Sequence, residues 1–382
     1  MQPPIDVLLG IIPFSKVIPL EHVGSNDSLS NLGDVAVSDP NVVDLGTVLQ
    51  LLATLDDDFS NVRSVGRNLW QSVPVARVNQ VNGVMNSAFR MNLHIYLDGL
   101  GIIRPDVSAT RLEPSSFNLL SAFLERDPIA HVFALAVLEN WGLDGLPGTE
   151  WWGVHDDDGR LQSVAFGGDW TQEGGFGLVV PMGDPRFADS LGAALAARGG
   201  GAWMVGECDV VDAIWSSMNG PPPRLSSRQH LMEARSVTAG QTLDIRQAVQ
   251  GDVDWVHTAA RQMLIDDLGI DPSVDAPLKF IRSVEAAIAS GSEYVAVHDG
   301  VLVYRAKVGP KGHHGAQIGG IWVPPAARNR GVAQAGTRAL LNQLLDEHPR
   351  VTLHVRESNG SAVRCYLGVG FQHVRDFRLL VR

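Results

Sequence analysis

The chain has 382 residues, a formal net charge of −12, and 45% hydrophobic against 19% charged residues. Such a composition suits two or three soluble domains and excludes wholesale disorder. Two cysteines, Cys208 and Cys365, exclude a disulfide framework and a cysteine-based metal site, so a reducing, cytoplasmic setting is expected.

Residues 1–105 read as an extension of uncertain type. Its apolar run at 7–20 is broken by Pro13, Lys16 and Pro19 and lacks a basic start, so it is not read as a signal peptide. A short helix is expected at 48–55, closed by Asp56-Asp57-Asp58. No uninterrupted apolar run reaches membrane-spanning length, and no membrane partner is expected. Charge is uneven. Lys and Arg outnumber Asp and Glu by 16 to 14 from Gln241 onward, which leaves −14 for the first 240 residues. An acidic first part argues against nucleic acid as a partner and favours cationic ligands such as amines.

From residue 108 the pattern becomes regular. A strand is expected at 109–112, then helices at 114–124 and 129–138, the second with Asp127 as N-cap and Pro128 as first helical residue. A hairpin follows at 150–154 and 161–166 around Asp156-Asp157-Asp158-Gly159. After it come a strand at 176–180, a helix at 188–198 stopped by three glycines, a strand at 202–205, a helix at 210–218, and a strand at 229–234 beyond Asn219-Gly220-Pro221-Pro222-Pro223. A linker falls at 236–241. The same order then repeats: a strand at 243–246, helices at 252–268 and 275–289, and a hairpin at 294–298 and 302–307 on Asp299-Gly300. The Gly-rich loop 309–315 carries His313 and His314, read as solvated.

The most informative stretch is QIGGIWVPPAARNRGVAQAG, 317–336. A β-favouring run ends at Pro324-Pro325, because neither proline donates to a ladder. Arg328-Asn329-Arg330-Gly331-Val332-Ala333 follows and opens a helix that runs to about residue 345. A turn opening a helix leaves its first N–H groups unpaired at the positive end of the helix dipole, which makes an anion site. Gly331 admits close approach, and Arg328 and Arg330 add positive charge. The ligand expected is a phosphate or pyrophosphate. No Gly-Lys-Ser/Thr follows and the glycine spacing is wrong for a dinucleotide fingerprint, so neither of those folds applies. A strand is read at 351–356 (VTLHVR), followed by SNGSAVRCYLGVGF.

Arg328-x-x-Gly331-x-Ala333 resembles the acetyl-CoA loop of the GCN5-related N-acetyltransferases (GNATs). Asn359, Tyr366 and Gly370-Phe371 resemble the last motif of that superfamily. Segments 125–135 and 178–191 look like an uncharacterised domain that precedes the GNAT domain in actinobacterial two-part proteins. The resemblance implies an α/β (α+β) architecture of tandem GNAT-like folds, each a mixed, mostly antiparallel twisted sheet flanked by helices. It implies a degenerate GNAT-like domain at 106–235 and a catalytic one at 241–382. The first half's equivalent turn, 180–185, has Asp184 and no loop arginine, so only the second half is expected to bind acetyl-CoA.

Under this resemblance the chain would move an acetyl group from CoA to a primary amine by direct attack, without a metal. The pyrophosphate would lie on the N–H groups of Asn329, Arg330, Gly331, Val332 and Ala333. Pantetheine would run beside Ile321, Trp322 and Val323 as an added strand, within reach of Asn359, which also reads as a helix cap. Tyr366 would protonate the leaving thiolate. His354 stands where some relatives carry a catalytic Glu and is the candidate base, with Glu357 and Glu293 as weaker alternatives. Cys365 reads as structural. The alternative is a non-catalytic CoA-sensing or protein-binding module, favoured if Tyr366 and His354 pack away from the cleft.

Overall fold

The computed structural model describes residues 108–169, 176–275 and 277–382. The expected helix at 48–55 and the rest of the segment 1–105 lie outside the described residues. The first half of the described chain contains β1 (Thr110–Arg111), α1 (Phe117–Leu124), α2 (Val132–Trp141), β2 (Thr149–His155), β3 (Leu161–Asp169), β4 (Phe176–Gly183), α3 (Ala188–Ala197), β5 (Trp203–Glu207), α4 (Cys208–Ser217) and β6 (Leu225–Ala234). The second contains β7 (Arg246–Gln247), α5 (Val253–Leu268), α6 (Pro277–Ala289), β8 (Glu293–His298), β9 (Val301–Gly312), β10 (Gly315–Trp322), α7 (Val332–Glu347), β11 (Val351–Arg356), α8 (Gly360–Leu367) and β12 (Gln372–Val381). None of the described helices is long and apolar enough to cross a membrane.

Local chemistry accounts for most of these elements, with three departures, the first being that the strand expected at 243–246 is confined to β7 at Arg246–Gln247. Asp127 accepts from the Ala130 N–H at 3.0 Å and so caps a turn, while α2 starts later with His131 at its N-cap. The Gly-rich loop is mostly strand, because β9 runs to Gly312 and β10 resumes at Gly315. Only His313 and His314 form the turn, and neither floats free. His313 Nδ1 lies 2.7 Å from Glu139 of α2, and His314 packs on the His313 ring with little of its own side chain exposed.

The strands form one twelve-stranded sheet in the order β1-β2-β3-β4-β5-β12-β6-β11-β10-β9-β8-β7. Only β4–β5 and β10–β11 are parallel pairs. The two central strands cross over. β6, which closes the first half in sequence, pairs with β11 from Val351↔Ala234 to Arg356↔Gln229. β12, at the end of the chain, pairs with β5 from Phe377↔Glu207 to Val381↔Trp203. Each half is therefore completed by a strand from the other, and β6 and β12 pair with one another along the seam.

Both sheet faces are covered. In the first half α1 and α2 share a core with Trp203 and Leu379, while α3 and α4 share one with Met204 and Leu380 on the opposite face. In the second half α7 and α8 cover one face and α5 and α6 the other. The connection between the halves is pinned. Arg338 of α7 donates to the carbonyls of Thr238 and Gln241 at 2.9 and 2.8 Å, and the Thr238 hydroxyl donates to Gly368 at 2.8 Å.

Candidate active site

The parallel strands β10 and β11 pair through only three residues, Ala316↔Val351 to Ile318↔Leu353. Beyond that they splay, and the gap opens into a cavity of about 1140 Å³. A bulge between Gly319 and Trp322 bends β10. Arg305 on β9 holds it by donating to the Gly320 carbonyl at 3.1 Å. Arg305 is itself buried in a two-bond pair with Glu293, at 2.5 and 2.8 Å. Glu293, a candidate base from sequence, is thus committed to holding the strand. Glu357 is exposed and does not line the cavity.

Past β10 the chain turns through Pro325–Ala327, then Asn329 and Gly331 take left-handed φ values of 60° and 77°. Gly331 is the N-cap of α7. Ala335 is the first residue to donate into the helix, to the Gly331 carbonyl at 2.9 Å. The N–H groups of Val332, Ala333 and Gln334 have no intrahelical acceptor and border the cavity. The loop arginines do less than their charge suggests. Arg328 donates to the Val323 carbonyl at 3.0 Å and pairs with Asp266 at 3.3 Å, which clamps the loop to α5. Arg330 is exposed and, unlike the other residues expected to hold the cofactor, stands outside the cavity lining. What this turn has to offer an anion is its backbone N–H groups and the helix dipole.

Ile321, Trp322, Val323, Asn329, Gly331, Val332, Ala333, His354, Asn359 and Tyr366 all line the cavity. Asn359 Oδ1 caps α8 by accepting from Ala362 N at 3.2 Å, which leaves its NH₂ group for a ligand. Tyr366 lies at the end of α8 with its ring edge-on to Phe371. Its hydroxyl has no hydrogen-bond partner among the described residues. Burial raises its pKa well above that of a free phenol, so it stays protonated at any working pH. Burial also pushes the Cys365 thiol up to about 11, which makes it a poor nucleophile.

His354 packs on Phe377 of β12, ring centroids 4.7 Å apart, and its Nδ1 is buried without a partner. Desolvation lowers its pKa to about 4, so the imidazole is neutral at pH 7 with a lone pair to offer.

The remaining walls come from residues whose sequence context reads only as core. Phe133 and Ala134 of α2, Leu178, Val180 and Met182 of β4, Val205 of β5, and Phe377 and Leu379 of β12 make a broad apolar surface. Gln229 of β6 is the polar residue among them. The wall built by the acidic first half is therefore apolar. The two carboxylates at the rim belong to the second half and are paired, Asp266 with Arg328 and Asp267 with Arg356 at 2.7 Å. Burial raises the Asp267 pKa against the lowering effect of Arg356.

Residues 261–371 match the family model described as the Acetyltransferase (GNAT) family. No curated protein sequence matches the chain. Among solved structures the chain is similar to a GNAT-family acetyltransferase from Colwellia psychrerythraea, at 12% identity and a TM-score of 0.45 over 72% of this chain and 100% of that one. It is similar to a GCN5-related N-acetyltransferase from Sphaerobacter thermophilus, at 18% identity and a TM-score of 0.48 over 73% and 96%. A tandem GNAT protein from the clavulanic acid biosynthesis pathway matches at 14% identity and a TM-score of 0.44 over 72% and 98%.

Proposed function

Because residues 261–371 are a domain of the acetyltransferase (GNAT) family, we propose that the chain transfers an acetyl group from acetyl-CoA to a primary amine that carries an apolar body. One observation carries this reading: the gap between β10 and β11 joins the open α7 N-terminus to a cavity that both Tyr366 and His354 line. The pyrophosphate rests on the N–H groups from Asn329 to Ala333. Pantetheine runs beside Ile321 to Val323, where the unpaired edge of β10 offers ladder hydrogen bonds, and the Asn359 amide meets it.

The amine enters over the apolar wall of the first half. Its nitrogen attacks the thioester carbonyl, a C–N bond forms, and the C–S bond breaks. The Tyr366 phenol gives its proton to the departing thiolate. The proton lost by the attacking nitrogen passes to His354, or to water held by it. A base with a pKa near 4 is weak, so the amine must arrive uncharged, and shedding its hydration against an apolar wall favours that form.

Release of free CoA thiol from acetyl-CoA and a panel of amines tests the reading. Tyr366→Phe should lower the rate about a hundredfold, or about 3 kcal/mol, while acetyl-CoA affinity stays within twofold. Thiol release that is unaffected by Tyr366→Phe would remove the phenol from the mechanism. Binding without release for any amine would favour a CoA-sensing module.

A further inference from the structure

At the seam between the halves, away from the cavity, three ligating side chains converge. His230 Nδ1 lies 3.1 Å and His373 Nε2 lies 2.9 Å from the same oxygen of Asp376, and the three ligand atoms are all within 4.8 Å of one another. A regular strand would not achieve this. Residues three apart on a strand point to opposite faces, so His373 and Asp376 should diverge. The register slip between His373 and Arg375 adds the residue that returns both to one face. His230 sits directly across from Asp376 on β6. The Asp376 oxygen not facing the histidines is held by Arg228 at 2.8 Å, which fixes the carboxylate's orientation.

We propose that His230, His373 and Asp376 form a zinc-type divalent metal site that staples β6 to β12. Two imidazole nitrogens and one carboxylate oxygen are a borderline-soft N₂O set suited to Zn²⁺, and a water can take the fourth tetrahedral position. Ligand atoms about 2.0 Å from a tetrahedral ion stand about 3.3 Å apart, so the two nitrogen-to-oxygen spacings of 3.1 and 2.9 Å need to open by only a few tenths of an ångström, while the two nitrogens, within 4.8 Å of one another, settle to the same separation. The side chains are 20%, 46% and 32% exposed in the order His230, His373, Asp376, so the ion has an entry path from the His373 side. Because β6 and β12 are the exchanged strands, an ion here would tie the two halves together.

Zinc titration of the untagged, chelator-treated full chain near neutral pH tests the site, read by calorimetry and by thermal midpoint. The wild type should take up about one Zn²⁺ per chain and unfold at a higher temperature with metal than without. His373→Ala and Asp376→Asn should each weaken binding at least tenfold and abolish the thermal shift, and Arg228→Ala should weaken binding about tenfold. The visible spectrum of a cobalt(II) derivative should show a tetrahedral site in the wild type and lose it in both ligand variants. No zinc uptake by the wild type, or equal uptake by the wild type and His373→Ala, would overturn the proposal and leave the cluster as a hydrogen-bonded network.

Discussion

The two halves repeat one order of elements and reach opposite outcomes at the same place. In the second half β10 and β11 part after Ile318↔Leu353, and the helix that follows β10 begins on a bare Gly331. In the first half β4 and β5 also stop pairing early, after Val179↔Met204, but the gap is shut. Gly206 lies so close to β4 that a Cβ on it would stand 2.7 Å from the Pro181 carbonyl. The turn ahead of α3 carries its own anion: Asp184 accepts from the Arg186 N–H at 2.9 Å and pairs with the Arg186 guanidinium at 2.7 Å. Burial opposes the Asp184 charge, yet these bonds bring its pKa below the usual value. One residue beyond the last parallel pair stands His354 in the second half and Val205 in the first. A single fold thus yields an open cleft or a wall, depending on whether the helix N-terminus is left for a ligand or filled by the chain.

The largest test of this comparison concerns the strand beside the open cleft. Glu293→Ala strands the buried guanidinium of Arg305 and should cost about 3–5 kcal/mol, read by denaturant unfolding. A loss under about 1 kcal/mol would mean that the β10 bulge does not depend on the pair.

The next test uses pH. The His354 pKa is depressed to about 4 in the fold against about 6.5 when unfolded. Between those values the unfolded chain binds more protons, so this residue's contribution is complete above about pH 6.5 and is lost as pH falls towards 4. The loss is at most about 3 kcal/mol, because one side of the ring borders the cavity. His354→Phe, which keeps the packing on Phe377, should flatten the acid limb of stability between those limits. An unchanged acid limb would show that the imidazole is hydrated. Val205 gives the first half no such term.

The smallest effect is expected at the closed turn. Asp184→Asn keeps an acceptor for the Arg186 N–H and gives up only a partly exposed ion pair, so stability should change by under about 1 kcal/mol. No second cofactor site should appear, since Pro181 still lies over Gly206. Gain of acetyl-CoA binding by this variant would show that the carboxylate alone had closed the turn.

What the sequence revealed and what it hid divide along physical lines. The loop from Arg328 to Ala333, the Asn359 cap and the hairpin at Asp299-Gly300 are legible because backbone conformation there is set by neighbours in the chain. Arg328 could be found but not its occupation, since its partner Asp266 lies on α5, far away in sequence. The exchange of β6 and β12 left no local trace. Both faces of the central strands are covered, so their apolar patterns fit either neighbour. The apolar wall of Phe133, Leu178, Met182 and Phe377 was hidden for the same reason, because residues facing a cavity and residues facing a core obey one pattern. The bulge that gathers His373 and Asp376 breaks strand alternation, and three-residue spacing on a strand argues against their convergence.

The central claim is that one half binds acetyl-CoA through the N–H groups at the start of α7 and the other does not. Calorimetric titration of acetyl-CoA into the wild type, Gly331→Asn and Gly331→Asp tests it most directly. Both side chains tolerate the left-handed φ of 77° and meet open space, so the two variants differ mainly in charge. The account predicts about one cofactor per chain, with Gly331→Asp at least tenfold weaker than Gly331→Asn, or about 1.4 kcal/mol. Two cofactors per chain, no binding by the wild type, or equal affinity in the two variants would contradict it.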